Sequence, residues 1–228
     1  MMLNINLPDP EITYATARQD KQIHEDSTTG GGALSGGITN EGLPRLVTFG
    51  ASDSVTVTRR TRSSKMFTET TWDAPRAVAF VVDVSPLPYY DGDTVPPKTL
   101  DETVCYFATG NPAGGVAGFG FKIEGGELYG VTHSGSEEQT HELTGSAKRV
   151  PDRGPMRLQA VHPGQAGAGG PVRFYGDSGE IGRSDGAAPH GDGGTAHEIL
   201  WSASLDNQTS ADERRRFDVD AMVRQKKV

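Results

Sequence analysis

The chain has 228 residues, 34% of them hydrophobic, with 30 glycines and 14 prolines, enough for one sizeable, turn-rich β-domain plus an appendage. A single cysteine, Cys105, excludes an intrachain disulfide and a thiolate-rich metal site, and a net charge of −8 opposes broad nucleic-acid or membrane binding. No run approaches the ~18 apolar residues of a membrane-crossing helix, and MMLNINLPDP lacks the basic start and apolar stretch of a signal peptide, so any export is expected to use another route.

Residues 1–45 carry little pattern. LNINLP fits a short strand, and the polar, glycine-rich stretch that follows predicts an extended N-terminal arm or linker. From residue 46 to 228 the chain changes to closely spaced strands. LVTFG and SVTVTRR alternate, KMFTETTW follows, and RAVAFVVDV is apolar enough to be a central strand covered on both faces. Prolines and the DGD step in SPLPYYDGDTVPPKTLD predict a long loop over 85–101, a kind of segment that often carries function. ETVCYFA is the next strand, with Cys105 expected as a small buried residue.

GFGFKIEGGELYGVTH, residues 118–133, predicts a β-hairpin. Gly125 and Gly126 form its two-residue turn, where positive φ is needed. Counting outward pairs Ile123 with Leu128, Phe121 with Gly130 and Phe119 with Thr132 on a core face. The opposite face pairs Lys122 with Tyr129, Gly120 with Val131 and Gly118 with His133, which makes it low and glycine-floored. Glu124 and Glu127 oppose each other at the turn, so salt, a cation or an Arg is expected to relieve them. EQTHELT, MRLQAVH, VRFYG, EIGRS, EILWSASL and FDVDAMV complete about a dozen strands with no convincing amphipathic helix, the pattern of an all-β sandwich.

The order of these elements resembles the concanavalin A-like (lectin/glucanase) jelly-roll over roughly residues 70–228. The likeness is carried by GFGFKIEGGELYGVTH, MRLQAVH, the strand–turn–strand VRFYGDSGEIGRS, EILWSASLDN and the closing FDVDAMVRQ. It implies a concanavalin A-like jelly-roll β-sandwich, a fold that hosts lectins, glycosidases and architectural modules alike. With the glycine-rich arm and acidic composition, the chain also resembles in type the particle proteins of tailed viruses, including those of halophilic archaea. That resemblance implies a non-enzymatic virion structural protein of the capsid surface, tail or fibre. Its partners would be other virion proteins and copies of itself, with host glycans as ligands. The alternatives are a lectin module outside a virion and an atypical glycoside hydrolase.

Among strings that look catalytic, GDSG at 176–179 matches a protease signature but falls where a hairpin turn is expected, with no His-containing partner motif. The E-x-D-x-x-E string of glycosidases of this fold is missing. Asp218 and Asp220 are the nearest substitute and read as a solvated strand face, so no catalytic residue is assigned. Sugar recognition needs an aromatic platform beside hydrogen-bonding groups, for which the candidates are Tyr129, His133 and Lys122 on the hairpin and Tyr89 and Tyr90 on the long loop. No resident cofactor is expected. The one candidate ion is calcium, with Asp91 and Asp93 as ligands, joined by Asp192 or by Asp206 and Asn207 from other loops. Asn207 also begins the glycosylation pattern NQT on what reads as a loop.

Overall fold

The computed structural model describes residues 12–14, 22–29, 33–35, 45–48, 52–61, 76–86, 103–115, 118–134, 137–144, 156–163, 171–185, 199–208 and 215–227. These residues form fifteen strands and one 3-10 turn, Pro112–Gly114, with no α-helix among them.

The strands make two antiparallel sheets. The first runs, in spatial order, β13 (Gly179–Arg183), β12 (Arg173–Gly176), β11 (Met156–His162), β6 (Arg76–Pro86), β15 (Arg215–Lys227), β4 (Arg45–Thr48) and β3 (Ala33–Ser35), with β1 (Ile12–Tyr14) also on β15. The second runs β10 (Glu138–Glu142), β9 (Glu127–His133), β8 (Gly118–Glu124), β7 (Thr103–Ala108), β14 (Ile199–Asn207), β5 (Ser54–Thr61) and β2 (Gln22–Thr29). β14 inserts between β5 and β7, while β15 inserts between β4 and β6 in the facing sheet. This nesting of antiparallel neighbours across two layers makes the chain a jelly-roll β-sandwich.

Alternation along the strands fills the space between the layers. Val55, Val57, Cys105, Phe107, Phe119, Phe121, Ile123, Leu128, Trp201, Ala203 and Leu205 project from the second sheet. They meet Val78, Phe80, Val82, Val84, Leu158, Ala160, Phe174, Val219, Ala221 and Val223 from the first. Burying each phenylalanine contributes roughly 1.5–3 kcal/mol before ordering entropy is subtracted. Phe121 meets Phe174 edge-on at 5.6 Å between ring centroids, and Phe119 lies 5.5 Å from the ring of buried His162. Gly130 is the hole that receives Phe174: a Cβ there would lie 2.5 Å from its ring.

The hairpin register agrees at every pair from Gly118 with His133 to Glu124 with Glu127, and Gly125 and Gly126 take φ of 58° and 75°. GDSG forms the turn of the β12–β13 hairpin, in which Gly176 pairs with Gly179. β6 is central, flanked by β11 and β15, and Cys105 is fully buried. Burial pushes the Cys105 thiol up to about 12, against a smaller lowering effect of the Thr103 hydroxyl.

Within residues 1–45, read from composition as an arm, the described residues form three strands: β1 pairs with β15, β2 along its whole length with β5, and β3 with β4. The physical reason is that a sheet edge accepts polar sequence, since it offers unpaired backbone groups rather than a core to fill. Asn207 is not on a loop. It closes β14, is 1% exposed, and its N–H donates to the Asp53 carbonyl at 2.9 Å, which withdraws it as a glycosylation acceptor.

Candidate functional site

Because the phenylalanine side of β8 faces the other sheet, its even-numbered residues lie on the outward side of the second sheet. Register then lays out one transverse row. Thr56 of β5 is opposite Ser204 of β14, Ser204 opposite Tyr106 of β7, Tyr106 opposite Lys122 of β8, Lys122 opposite Tyr129 of β9, and Tyr129 opposite Glu142 of β10. Every member is polar, and the two tyrosines stand two strand spacings apart, roughly 10 Å, with the lysine between them. The adjacent row is small: Ser202, Ala108, Gly120, Val131 and Thr140. Ala108 and Val131 are fully buried.

The long side chains meet over this low floor. Lys122 Nζ lies 3.0 Å from Glu124 Oε2 and 3.2 Å from Glu138 Oε1, and Tyr106 donates its hydroxyl hydrogen to Glu138 Oε2 at 2.9 Å. The same ammonium is 5.4 Å from the centroid of the Tyr106 ring, within cation–π range. Beside this cluster Tyr129 donates to Glu127 at 2.8 Å. Gly120 keeps the floor low for a steric reason. A Cβ there would lie 2.2 Å from the Phe107 carbonyl oxygen, which is backbone and cannot swing away.

The electrostatics follow from these contacts. Burial pushes the Tyr106 hydroxyl up to about 12, reinforced by its hydrogen bond to Glu138 and that carboxylate's charge and opposed by Lys122. Burial alone would lower the Lys122 pKa. The hydrogen bond to Glu124 and the charges around Tyr106 and Glu138 together outweigh it and raise the value. The Tyr106 phenol therefore stays neutral and Lys122 stays an ammonium, both held against the Glu124 and Glu138 side chains.

Of the residues singled out in sequence, Lys122, Tyr129 and His133 do share this face. Lys122 sits at its centre, Tyr129 next to it, and His133 is buried towards one end, opposite Gly118 and Glu138. Tyr89, Tyr90, Asp91, Asp93 and Asp192 lie outside the described residues. Asp206 and Asn207 stand in β14 rather than on a loop, with Asp206 accepting from Gln208 at 2.7 Å. Among the described residues no group of three or more His, Cys, Asp or Glu side chains could hold a metal ion.

Tyr106 and Glu138 were missed in sequence. Their signal was the alternation of ETVCYFA and EQTHELT: with Cys105, Phe107, His141 and Leu143 inward, Tyr106, Glu138 and Glu142 face outward. Joining them to Lys122 required knowing that β7 and β10 flank the hairpin. The cation expected near the opposed Glu124 and Glu127 is Lys122 of the same hairpin, while Glu127 accepts the tyrosine hydroxyl.

No protein-family model and no curated protein matches the sequence. Solved structures similar to it include a protein of unknown function from Shewanella oneidensis MR-1, at 14% identity over 89% of this chain and 78% of that one, TM-score 0.49. The metal-free lectin I-B4 from Griffonia simplicifolia is similar at 9% identity over 95% of this chain and 100% of that one, TM-score 0.49. An alginate lyase is similar at 9% identity over 86% of each chain, TM-score 0.48.

Proposed function

We propose that the chain is a carbohydrate-binding module whose ligand lies along the outward face of the seven-stranded sheet and is not turned over. The observation that carries this reading is the transverse row, in which half-buried Tyr106 and Tyr129 flank the Lys122–Glu124–Glu138 cluster. A pyranose ring has apolar C–H faces and a polar edge, so it needs a ring to lie on and fixed polar groups beside it. The row supplies both, at low entropic cost because the polar tips are already held by one another. Binding without hydrolysis is supported by the engagement of both central carboxylates with one ammonium, where an acid–nucleophile pair would need two carboxyl groups in different protonation states.

The test is a glycan array followed by calorimetry on the hits. Tyr106→Ala and Tyr129→Ala are each expected to weaken binding at least tenfold while the thermal transition stays cooperative. No bound glycan on the array, or affinities unmoved by both substitutions, overturns the proposal. Release of reducing sugar from a bound oligosaccharide overturns the non-catalytic half of it.

A further inference from the structure

The hydrogen-bonding inventory of this face says which sugars it accepts, an inference that rests on the carbohydrate-binding reading above. The Tyr106 hydroxyl has one hydrogen to give and gives it to Glu138. Lys122 has three, of which Glu124 and Glu138 take two, and its side chain is only 11% exposed. Donors at the centre of the site are therefore largely engaged within the protein.

The acceptors are not. An ionised carboxylate offers about four lone-pair positions. Glu138 accepts from Tyr106 and Lys122, and Glu124 from Lys122, and their side chains are 26% and 53% exposed. What the centre of the face presents to a ligand is carboxylate oxygen. The charge points the same way: among the described residues one ammonium stands against the two carboxyl groups of Glu124 and Glu138.

We infer that Glu138 and Glu124 make this face select hydrogen-bond-donating glycans, taking amino sugars ahead of neutral sugars and rejecting acidic ones. An ammonium on the sugar donates to Glu138 or Glu124 and offsets the excess negative charge. A neutral sugar donates through its hydroxyls alone. A uronate keeps its ring hydroxyls as donors but adds carboxylate acceptors and a like charge to a site that already holds both, and like-charge juxtaposition is the stronger discriminator.

The experiment is isothermal titration calorimetry of the whole chain with three hexamers matched in length: glucosamine, glucose and glucuronic acid. The glucosamine hexamer is expected to bind about tenfold more tightly than glucose, with the difference shrinking at high salt as screening weakens the charge pair. The glucuronic acid hexamer is expected not to bind. In Glu138→Gln and in Glu124→Gln the ratio of glucosamine to glucose affinity falls several-fold, and Glu124→Gln does so without removing the Tyr106 partner. Glucuronic acid binding as tightly as glucose overturns this inference and leaves the carbohydrate-binding reading standing, as does an unchanged glucosamine preference in both variants. Failure of all three hexamers together with an empty array overturns both.

Discussion

At the residue scale the decisive group is Lys122. A lysine 9% exposed in the middle of a sheet face is costly to bury unless its charge is answered, and here two carboxylates and an aromatic ring answer it. The carboxylates in turn depend on it, since without the ammonium Glu124 and Glu138 would face each other with no intervening charge. Lys122→Met is therefore expected to destabilise the fold by about 1–3 kcal/mol, most of it from the carboxylates left behind rather than from a lost contact. Urea denaturation at low and high salt checks this. Screening should recover part of the loss in the variant, and the double substitution Lys122→Met with Glu138→Gln should cost less than the single one. A loss that is independent of salt would mean that packing of the lysine stem, and not charge, holds the cluster.

At the element scale the hairpin β8–β9 shows what can be read from sequence. Its register and turn follow from two adjacent glycines and strict alternation, because a slip of one residue would turn Phe119, Phe121 and Ile123 out of the core. The neighbours of the hairpin are a different matter. That β7 flanks it on one side and β10 on the other depends on long-range pairing, and neither strand's composition states its partner. So Lys122 and Tyr129 were legible as companions, while Tyr106 and Glu138 became visible only with the sheet order. The N-terminal strands were illegible for a related reason: edge pairing uses backbone groups, which every sequence has.

Two of the hairpin's strand glycines, Gly130 on the core face and Gly120 on the outward face, also differ in a way that can be measured. A Cβ at Gly130 would strike the Phe174 ring at 2.5 Å, whereas one at Gly120 would strike the Phe107 carbonyl at 2.2 Å. Both alanine substitutions are expected to destabilise by about 1–3 kcal/mol. They should part in the rescue. Phe174→Leu opens space for Gly130→Ala, so the double variant should lose less than the two singles added together, while no side-chain change relieves a clash of Gly120→Ala with backbone. Denaturation midpoints of the four variants decide it, and additivity in the Gly130–Phe174 cycle would refute the knob-in-hole reading.

At the scale of the whole molecule the two sheets must be closed along their edges, and one closure runs between β10 and β13. The Thr144 N–H donates to the Ile181 carbonyl at 2.8 Å, and the Thr144 hydroxyl donates to the same oxygen at 3.0 Å. Next to this seam His141, 2% exposed, reaches both layers. Its ring stacks on Phe174 at 5.9 Å, its Nε2 is 2.8 Å from the Thr132 hydroxyl oxygen, and its Nδ1 accepts the Asp185 N–H at 3.3 Å. An accepting Nδ1 carries no hydrogen, so the hydrogen of the neutral ring is on Nε2 and is donated to Thr132. Protonating Nδ1 would replace the Asp185 bond by repulsion between two N–H groups. The Asp185 carboxylate, 3.9 Å away and 96% exposed, compensates weakly.

Burial accordingly lowers the His141 pKa from the ordinary 6.5, with Asp185 opposing the shift. The folded chain then binds fewer protons at this site than the unfolded chain. Its contribution to stability is complete above pH 6.5 and declines as pH falls below that value toward the folded pKa. The midpoint of thermal unfolding is therefore expected to drop between pH 7.5 and pH 5. His141→Gln, which keeps a polar side chain and cannot titrate, should remove part of that drop while lowering stability at pH 7.5. A decline just as steep in His141→Gln as in the parent would place the acid sensitivity elsewhere and leave His141 as a packing residue only.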